Sequence, residues 1–438
     1  MGSPDVIVVG AGVAGIAAAV SLALAGAAVQ LVESRRRLGG RATSFVDAPT
    51  GEVLDNCQHV TLGCCTRYRR LLDLLGASEA LRWHRAQYWV EPAIGGEERV
   101  SCIEPGLLPA PLHFAGSFAG ATFLSVEEKL AIAAGIRELA VASREPWESR
   151  TFGAWLDATS QPAGARGKFW EPVVVSACNA WPDRVSASPA MKVFQDGLLA
   201  SREAAMIGVP RVPLVRLYEA VPDVLASAGG GVLEGRAAAS VQPRRVTLVD
   251  GTALCAGRVV CALPLEKAVA AVRDERGEAD ETLARLAAKL TFSPIVGVHL
   301  EFDRPVMAFA HAVLVGAATQ WVFANEADPR RVHAVVSGAA AWVDWTQERI
   351  VEQVLTDLGA RFPRAIEAAT CVRARVVKER RATFEATPAF ERARHGLRRR
   401  EHAVPLAGDY TDTDWPATME GAAISGFEVA KRLGGRIA

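Results

Sequence analysis

An α/β fold, with a parallel-sheet unit interleaved with an α+β domain, is predicted by three observations. A buried strand, a glycine-rich turn and a helix open the chain. A glycine pair flanked by arginines follows the next strand, and a strand, a Gly-Asp turn and a helix close the chain. With 438 residues, half of them apolar, there is enough chain for two domains with substantial cores.

The opening "DVIVVGAGVAGIAAAVSLALAGAAVQLVES" reads as strand, tight turn, helix, strand. Val6 to Val9 is a buried parallel strand. Gly10, Gly12 and Gly15 form GxGxxG: the first permits the turn, the second lets backbone approach a pyrophosphate, and the third lets helix pack on strand. The helix start offers N–H donors and a positive dipole end to phosphates. Glu33, with Ser34 beside it, ends the second strand roughly 20 residues on, where an acid accepts ribose hydroxyls. This is a Rossmann-like dinucleotide site. Residues 14–32 are apolar enough to pass for a membrane span, but Gly26 divides them and no basic segment precedes them. A buried helix followed by a buried strand is expected instead.

Next comes "ESRRRLGGRATS", with Arg36, Gly39, Gly40 and Arg41. Two glycines allow close backbone approach, and a guanidinium suits phosphate oxygens. At the far end, "VPLAGDYTDTDWPATMEGAAISGFEVAKRL" supplies Gly408 and Asp409 in the turn, then a helix beginning at Met419, Glu420, Gly421 and Ala422.

Between them, "PLVRLYEAVPDVLASAGG" reads as one amphipathic helix. "RRVTLVDGTALCAGRVVCALP" reads as a hairpin turning at Asp250-Gly251 and then a return strand. "IVGVHLEFD" alternates, with Val296, Val298, Leu300 and Phe302 on one face. "TQERIVEQVLTDLGARF" is a helix with Ile350, Val354, Leu355 and Leu358 inward. Ser125 and Glu128 are spaced as a capping box after an apolar stretch holding Phe114, Phe118, Phe123 and Leu124. That stretch reads either as a core loop or as a lipid-facing lip or the wall of a tunnel for a long hydrocarbon. The boundaries expected are 1–75, 206–264 and 396–438 for the dinucleotide unit, with 76–205 and 265–395 forming a substrate domain.

The formal net charge is zero, which argues against a nucleic-acid binder. The "RRR" runs at 35–37 and 398–400 read as solvated. Eight cysteines without a CxxC give no zinc set, and they read as reduced thiols of a cytosolic protein. No metal site is expected.

The most crowded polar stretch is "VLDNCQHVTLGCC", residues 53–65, with Asp55, Gln58 and His59. The three glycine-bearing segments resemble flavoproteins related to amine oxidases and phytoene desaturases. With "FWEPVVVSACNAWPDRV", "SPIVGVHLEFDRPV" and "KERRATFEATP", the 53–65 stretch is similar to hydroxysqualene dehydroxylases, the squalene-associated FAD-dependent desaturases, over nearly the whole chain. Cys57 stands where that family usually has glycine, and Asp414 follows Thr413 where glycine is usual. Asp414 either adopts a glycine-like backbone, the favoured reading, or brings a carboxylate to the flavin.

The resemblance implies an amine oxidase/phytoene desaturase-type, glutathione-reductase-like fold holding FAD. Gly408 and Asp409 would meet the pyrophosphate or ribityl chain, the first residues of the last helix would face the flavin N1–C2=O edge, and Val241 would lie by the adenine. It implies reductive removal of the allylic hydroxyl of hydroxysqualene, giving squalene, by hydride from reduced flavin N5. His59 is expected either as proton donor or relay, held by Asp55 and Gln58, or as a buried histidine hydrogen-bonded to backbone, with Glu171, Asn179 and Asp414 as reserves. Trp170, Glu171, Asn179, Phe114, Phe118 and Trp415 are expected on the substrate side. The partner is then a long triterpenoid, with a peripheral contact to the inner face of a membrane allowed for. Rival readings are a carotenoid-type desaturase, an amine oxidase, disfavoured because residues 293–302 carry no lysine, and a non-catalytic lipid-binding scaffold.

Overall fold

The computed structural model describes residues 3–398 and 402–436. The second "RRR" run lies largely outside them. At the centre of the first unit is a four-stranded sheet in the order Gly231–Leu233, Val29–Val32, Val6–Val9, Arg258–Cys261, parallel throughout. Its central strand is buried at every position, as two covered faces require. The closing segment adds a single parallel bridge, Cys261 to Leu406, in place of the short strand expected. Helix Val13–Leu24 spans twelve residues and gives way to Val29–Val32. No described helix is long and apolar enough to cross a membrane.

Helix Met419–Arg432 lies against Val13–Leu24. A side chain at Gly426 would come within 2.8 Å of the Ala17 methyl. The predicted helix over 213–230 is in fact two pieces, a 3₁₀ segment Leu214–Tyr218 and helix Val221–Ser227. Pro222 accounts for the break: its ring has no N–H to donate and fits the first turn of a new helix. The Asp250-Gly251 turn joins Arg245–Leu248 to Ala253–Cys255, antiparallel as expected.

The second sheet has seven strands, ordered Cys371–Phe384, Phe292–Phe302, Arg331–Val336, Trp321–Ala324, His311–Leu314, Gln87–Ile94, Glu97–Ile103. It therefore draws strands from both middle blocks. On one face Val296, Val298, Leu300 and Phe302 pack with Ile350, Val354 and Leu358 of helix Gln347–Gly359. Leu355 is only half-buried. By the two-residue period of a strand, Ile295, Gly297, His299, Trp321, Phe323, His333 and Val335 share the opposite face. That face looks toward the 53–60 segment, because Ile295, Trp321, Phe323 and Val335 pack with Cys57 and Val60. Beyond it an aromatic cluster continues the apolar wall: Trp89 stacks on Phe123 at 5.0 Å and Phe118 meets Phe169 at 5.6 Å.

Candidate active site and cofactor cleft

The cleft is built where the front strand ends. Gly10 has φ +105°, and a Cβ there would lie 2.6 Å from the Ala262 carbonyl oxygen. Gly12 caps the first helix with extended backbone and no side-chain hydrogen bond. The first N–H groups of that helix thus have no side-chain cap and suit an anion. A Cβ on Gly15 would overlap the Gly10 carbonyl oxygen.

The Gly39 N–H donates to the Ala11 carbonyl at 2.8 Å. A Cβ on Gly40 (φ +63°) would come within 2.9 Å of Gly12 Cα. The two glycine loops therefore touch, and any side chain in the second would fill the cradle. Glu33 accepts from the Ala11 N–H at 2.8 Å, from Ser34 Oγ at 3.0 Å and from the Arg35 N–H at 2.8 Å. A carboxylate has about four lone-pair sites, so it can accept one more donor.

Arg41 spans the cleft. Its Nη2 donates to Asp409 at 2.6 Å and its Nη1 to the Ala382 carbonyl at 3.0 Å, while the side chain keeps 38% of its surface open. Burial lowers its pKa, but the Asp409 carboxylate outweighs this and raises it. The Gly408 N–H donates to Ser425 Oγ at 2.7 Å. Arg394, buried, holds the Asp409 and Trp415 carbonyls and pairs with Glu391 at 2.6 Å.

The arginine assignment needs correction. Arg36 is exposed and rests near Gly235, whereas Arg37 is half-buried with an unpartnered, buried Nε. Arg37 also departs from the fully solvated run expected at 35–37. The start of the last helix is corrected too. The Gly421 N–H is taken by Thr418 Oγ1 at 3.1 Å and the Ala422 N–H by the Thr418 carbonyl at 3.1 Å. Met419 and Glu420 keep the first-turn N–H groups that a cofactor carbonyl can use. The Glu420 carboxylate instead caps another helix, Thr66–Leu74, accepting from the Arg67 N–H at 3.0 Å and the Tyr68 N–H at 2.8 Å. Val241 is fully buried, its carbonyl bonded to the Arg273 N–H at 2.9 Å.

His59 lies on the loop between strands Val53–Asp55 and Thr61–Leu62, near enough to Arg41 to feel its charge. It is held neither by Asp55 nor by Gln58. Its Nδ1 sits 2.9 Å from the Cys57 carbonyl oxygen. Asp55 instead accepts from Ser44 Oγ at 2.6 Å and the Leu214 N–H at 3.0 Å, bracing the loop from behind. Because a carbonyl only accepts, Nδ1 carries the hydrogen, and neutral His59 presents Nε2 as a lone pair. Burial holds its pKa below the ordinary histidine value.

Two histidines missed in the sequence stand beside it. His299 and His333 stack at 4.0 Å, and His299 Nε2 donates to the Asp55 carbonyl at 3.1 Å. His333 is pushed well below its usual range, by burial first and then by His299 and His59. His299 and His333 are opposed across two strands. Only the pairing register could have revealed that.

The expected substrate-side residues separate. Trp170 is fully buried and gives its Nε1–H to Gln161 at 2.8 Å, which makes it core. Asn179, at φ +49°, ties three segments together: it donates to the Ser293 carbonyl and Thr383 Oγ1 and accepts from the Gly338 N–H at 2.7 Å. Both of its N–H donors are thus committed to the protein. Glu171 is half-buried, its pKa raised by burial and then by Asp183. Phe114 and Phe118 are half-buried on the 112–119 segment.

Trp415 lines a groove of about 650 Å³ with Cys64, Arg67, Asp196 and Glu420, and Lys192 Nζ lies 5.0 Å from its ring centre. Asp414 does adopt the glycine-like backbone, φ +65°. Its carboxylate is not free for a flavin: it binds Arg144 at 2.8 Å and Lys192 at 3.0 Å. No group of three or more metal-ligating side chains occurs among the described residues.

Parallel sheet, paired glycine loops, an acid with an open acceptor site at the end of the second strand and a closing helix suit a dinucleotide-binding oxidoreductase, and the cleft fits FAD. The chain belongs to the flavin-containing amine oxidoreductase family, whose model matches residues 13–434. It is 30% identical to hydroxysqualene dehydroxylase of Rhodopseudomonas palustris, over 98% of both chains. It is 28% identical to the enzyme of that name from Sinorhizobium fredii, over 97% of each. The 15-cis-phytoene desaturase of Narcissus pseudonarcissus is 26% identical over 98% of this chain and 79% of that one. Among solved structures, cyclohexylamine oxidase from Brevibacterium oxydans superposes with a TM-score of 0.71 at 20% identity, covering 99% of both chains. A redesigned putrescine oxidase gives 0.72 at 19%, covering 98% of each. The protein is an FAD-dependent oxidoreductase.

Proposed function

We propose that the protein reduces an allylic triterpene alcohol, hydroxysqualene, to squalene. The observation that carries this reading is the combination of an acid-capable imidazole with an apolar wall. Cys57 and Val60, on either side of Gln58 and His59, pack on a sheet side made of Ile295, Trp321, Phe323 and Val335, and His59 is near enough to His333 on that side to affect its charge. No lysine stands on the inner positions Ile295, Gly297 and His299, where an amine oxidase would want one. The full-length similarity to two dehydroxylases supports the same assignment.

Apolar contact contributes about 0.8 kcal/mol for each methylene buried, so a hydrocarbon substrate needs little polar recognition. FAD, once reduced, supplies the hydride. The chain supplies the proton. Protonated His59 donates from Nε2 to the hydroxyl oxygen, the C–O bond breaks, and water leaves. The two-electron reduction of the allylic carbon would be the chemistry that bound, reduced FAD supplies. Neutral His59 then recovers its proton from solvent. Arg37 and Arg41 would hold the pyrophosphate, and Met419 and Glu420 would offer backbone donors.

Residues 105–126 contain no Asp, Glu, Lys or Arg. Leu107 is 95% exposed, and Leu108, Leu112, Val126 and Leu130 are also exposed. Arg202 holds the Leu107 and Leu108 carbonyls, and Lys129 Nζ holds the Ala119 carbonyl at 2.7 Å. An apolar tip with cations at its base suits the surface of an anionic bilayer, from which so insoluble a substrate would come.

The test is anaerobic. Chemically reduced protein is mixed with hydroxysqualene, and separately oxidised protein is mixed with phytoene. Squalene in the first arm is expected; desaturated product in the second, with none in the first, would replace this reading by the desaturase one.

A further inference from the structure

Charged side chains gather beside the start of the last helix. Lys192 closes helix Ala187–Lys192, and its side chain is only 9% exposed. A buried ammonium needs partners. Its Nζ donates to Asp196 at 2.6 Å and to Asp414 at 3.0 Å. Asp414 also accepts two bonds from Arg144, at 3.1 Å and 2.8 Å. Burial raises the Asp414 pKa, but Arg144 and then Lys192 outweigh this and lower it, so the carboxylate is charged. Two cations and two carboxylates thus balance. Arg144, Lys192 and Asp196 come from one stretch of the chain, and Asp414 comes from its closing segment. The glycine usual at 414 would serve the backbone, φ +65°, equally well. What aspartate adds is the tie to Lys192 and Arg144.

Trp415 joins this group to the helix. The Lys192 ammonium lies 5.0 Å from the indole centre, within cation–π range. A Cβ on Gly421 would lie 3.3 Å from the Trp415 Cβ, so the tryptophan stands against the first turn of helix Met419–Arg432. Arg394 fixes the Trp415 carbonyl at 2.7 Å. Trp415, Asp196 and Glu420 line the same groove. The Glu420 carboxylate is spent on the Arg67 and Tyr68 N–H groups, so it does not offset the lysine at this end. Here, by resemblance, the flavin N1–C2=O edge would lie. Reduction brings FAD two electrons and one proton, which leaves a negative charge at that edge. A helix N-terminus favours such a charge, and so does a nearby cation.

We propose that Lys192 is a positioning residue for reduced FAD: its buried charge, balanced by Asp414, sets how readily the cofactor takes up electrons. This rests on FAD lying at the start of the last helix, and not on hydroxysqualene being the substrate.

The experiment measures the midpoint potential of bound FAD in the full chain, by anaerobic titration with dithionite against a reference dye. K192M should lie about 30 mV or more below the wild type, a tenfold change in the reduced-to-oxidised ratio. K192R keeps the charge and should stay near the wild type. D414N removes a carboxylate and should rise, though by less, because that side chain is 48% exposed and screened by solvent. The double variant K192M/D414N should lie above K192M. Damaged packing would move K192M and D414N the same way, whereas a charge effect moves them apart.

A K192M potential equal to that of the wild type, an equal fall in K192R, or a D414N that does not rise would overturn the proposal. If K192M sheds its FAD, D414N decides alone by the same criterion. The titration contains no hydroxysqualene, so a wild type that forms no squalene would sink the dehydroxylase reading and leave this result standing.

Discussion

Asp414 shows how one residue carries two jobs. Its backbone occupies a region that L-residues enter at a cost of about 1–2 kcal/mol, with Asp and Asn the least penalised. Its half-exposed carboxylate joins Arg144 to Lys192. Solvent screens such a pair, so the charges contribute about 1 kcal/mol or less. D414N should therefore lower the urea midpoint slightly, and D414A clearly more, because alanine also meets the backbone strain. Equal loss in both would show that the φ angle does not matter.

Arginine placement is equally specific. R37M should strip FAD during gel filtration and R36M should not, read as the flavin-to-protein absorbance ratio. The sequence pattern offered three consecutive arginines, and spacing alone selected the exposed one. Burial of the Arg37 Nε distinguishes them, and that depends on where the chain turns in space.

Among the elements, those whose cause is local were the legible ones. The front strand, turn and helix, the Ser125–Glu128 capping box and the Asp250-Gly251 hairpin all follow from neighbouring residues. What escaped were consequences of distant pairing: the stacked histidines, and a helix capped from 352 residues away. In that cap, Glu420 closes the Thr66–Leu74 helix through the Tyr68 N–H. Removing a cap costs about 0.5–2 kcal/mol. E420A should lower the midpoint of urea unfolding accordingly, and E420Q, which keeps an acceptor, by less. Glu420 is buried and its pKa raised by that burial. A raised acid pKa means the protonated form is favoured in the fold, so acid should release this cap earlier than it would an exposed glutamate.

At the scale of the whole molecule, both sheets are assembled from strands far apart in sequence, and the cleft lies where they meet. The apolar 105–126 lobe sits at the outer end of the aromatic wall, through Phe118 and Phe123. The proposed docking predicts that the wild type cosediments with anionic vesicles and that replacing Leu107 and Leu112 with glutamate abolishes this while leaving FAD content unchanged; a wild type that does not bind would remove the membrane reading. Persistent binding would put the docking surface elsewhere.

The fold and cofactor were readable because the glycine loops and the acid must stand at fixed spacings. The proposed reaction came only from resemblance, because an apolar wall names no substrate.

The most direct measurement is a single turnover in deuterated water, with the protein chemically reduced there before hydroxysqualene is added. The account predicts squalene carrying one deuterium at the carbon that lost its hydroxyl, formed as the flavin absorbance returns. Squalene without that label, or flavin that stays reduced, would contradict it.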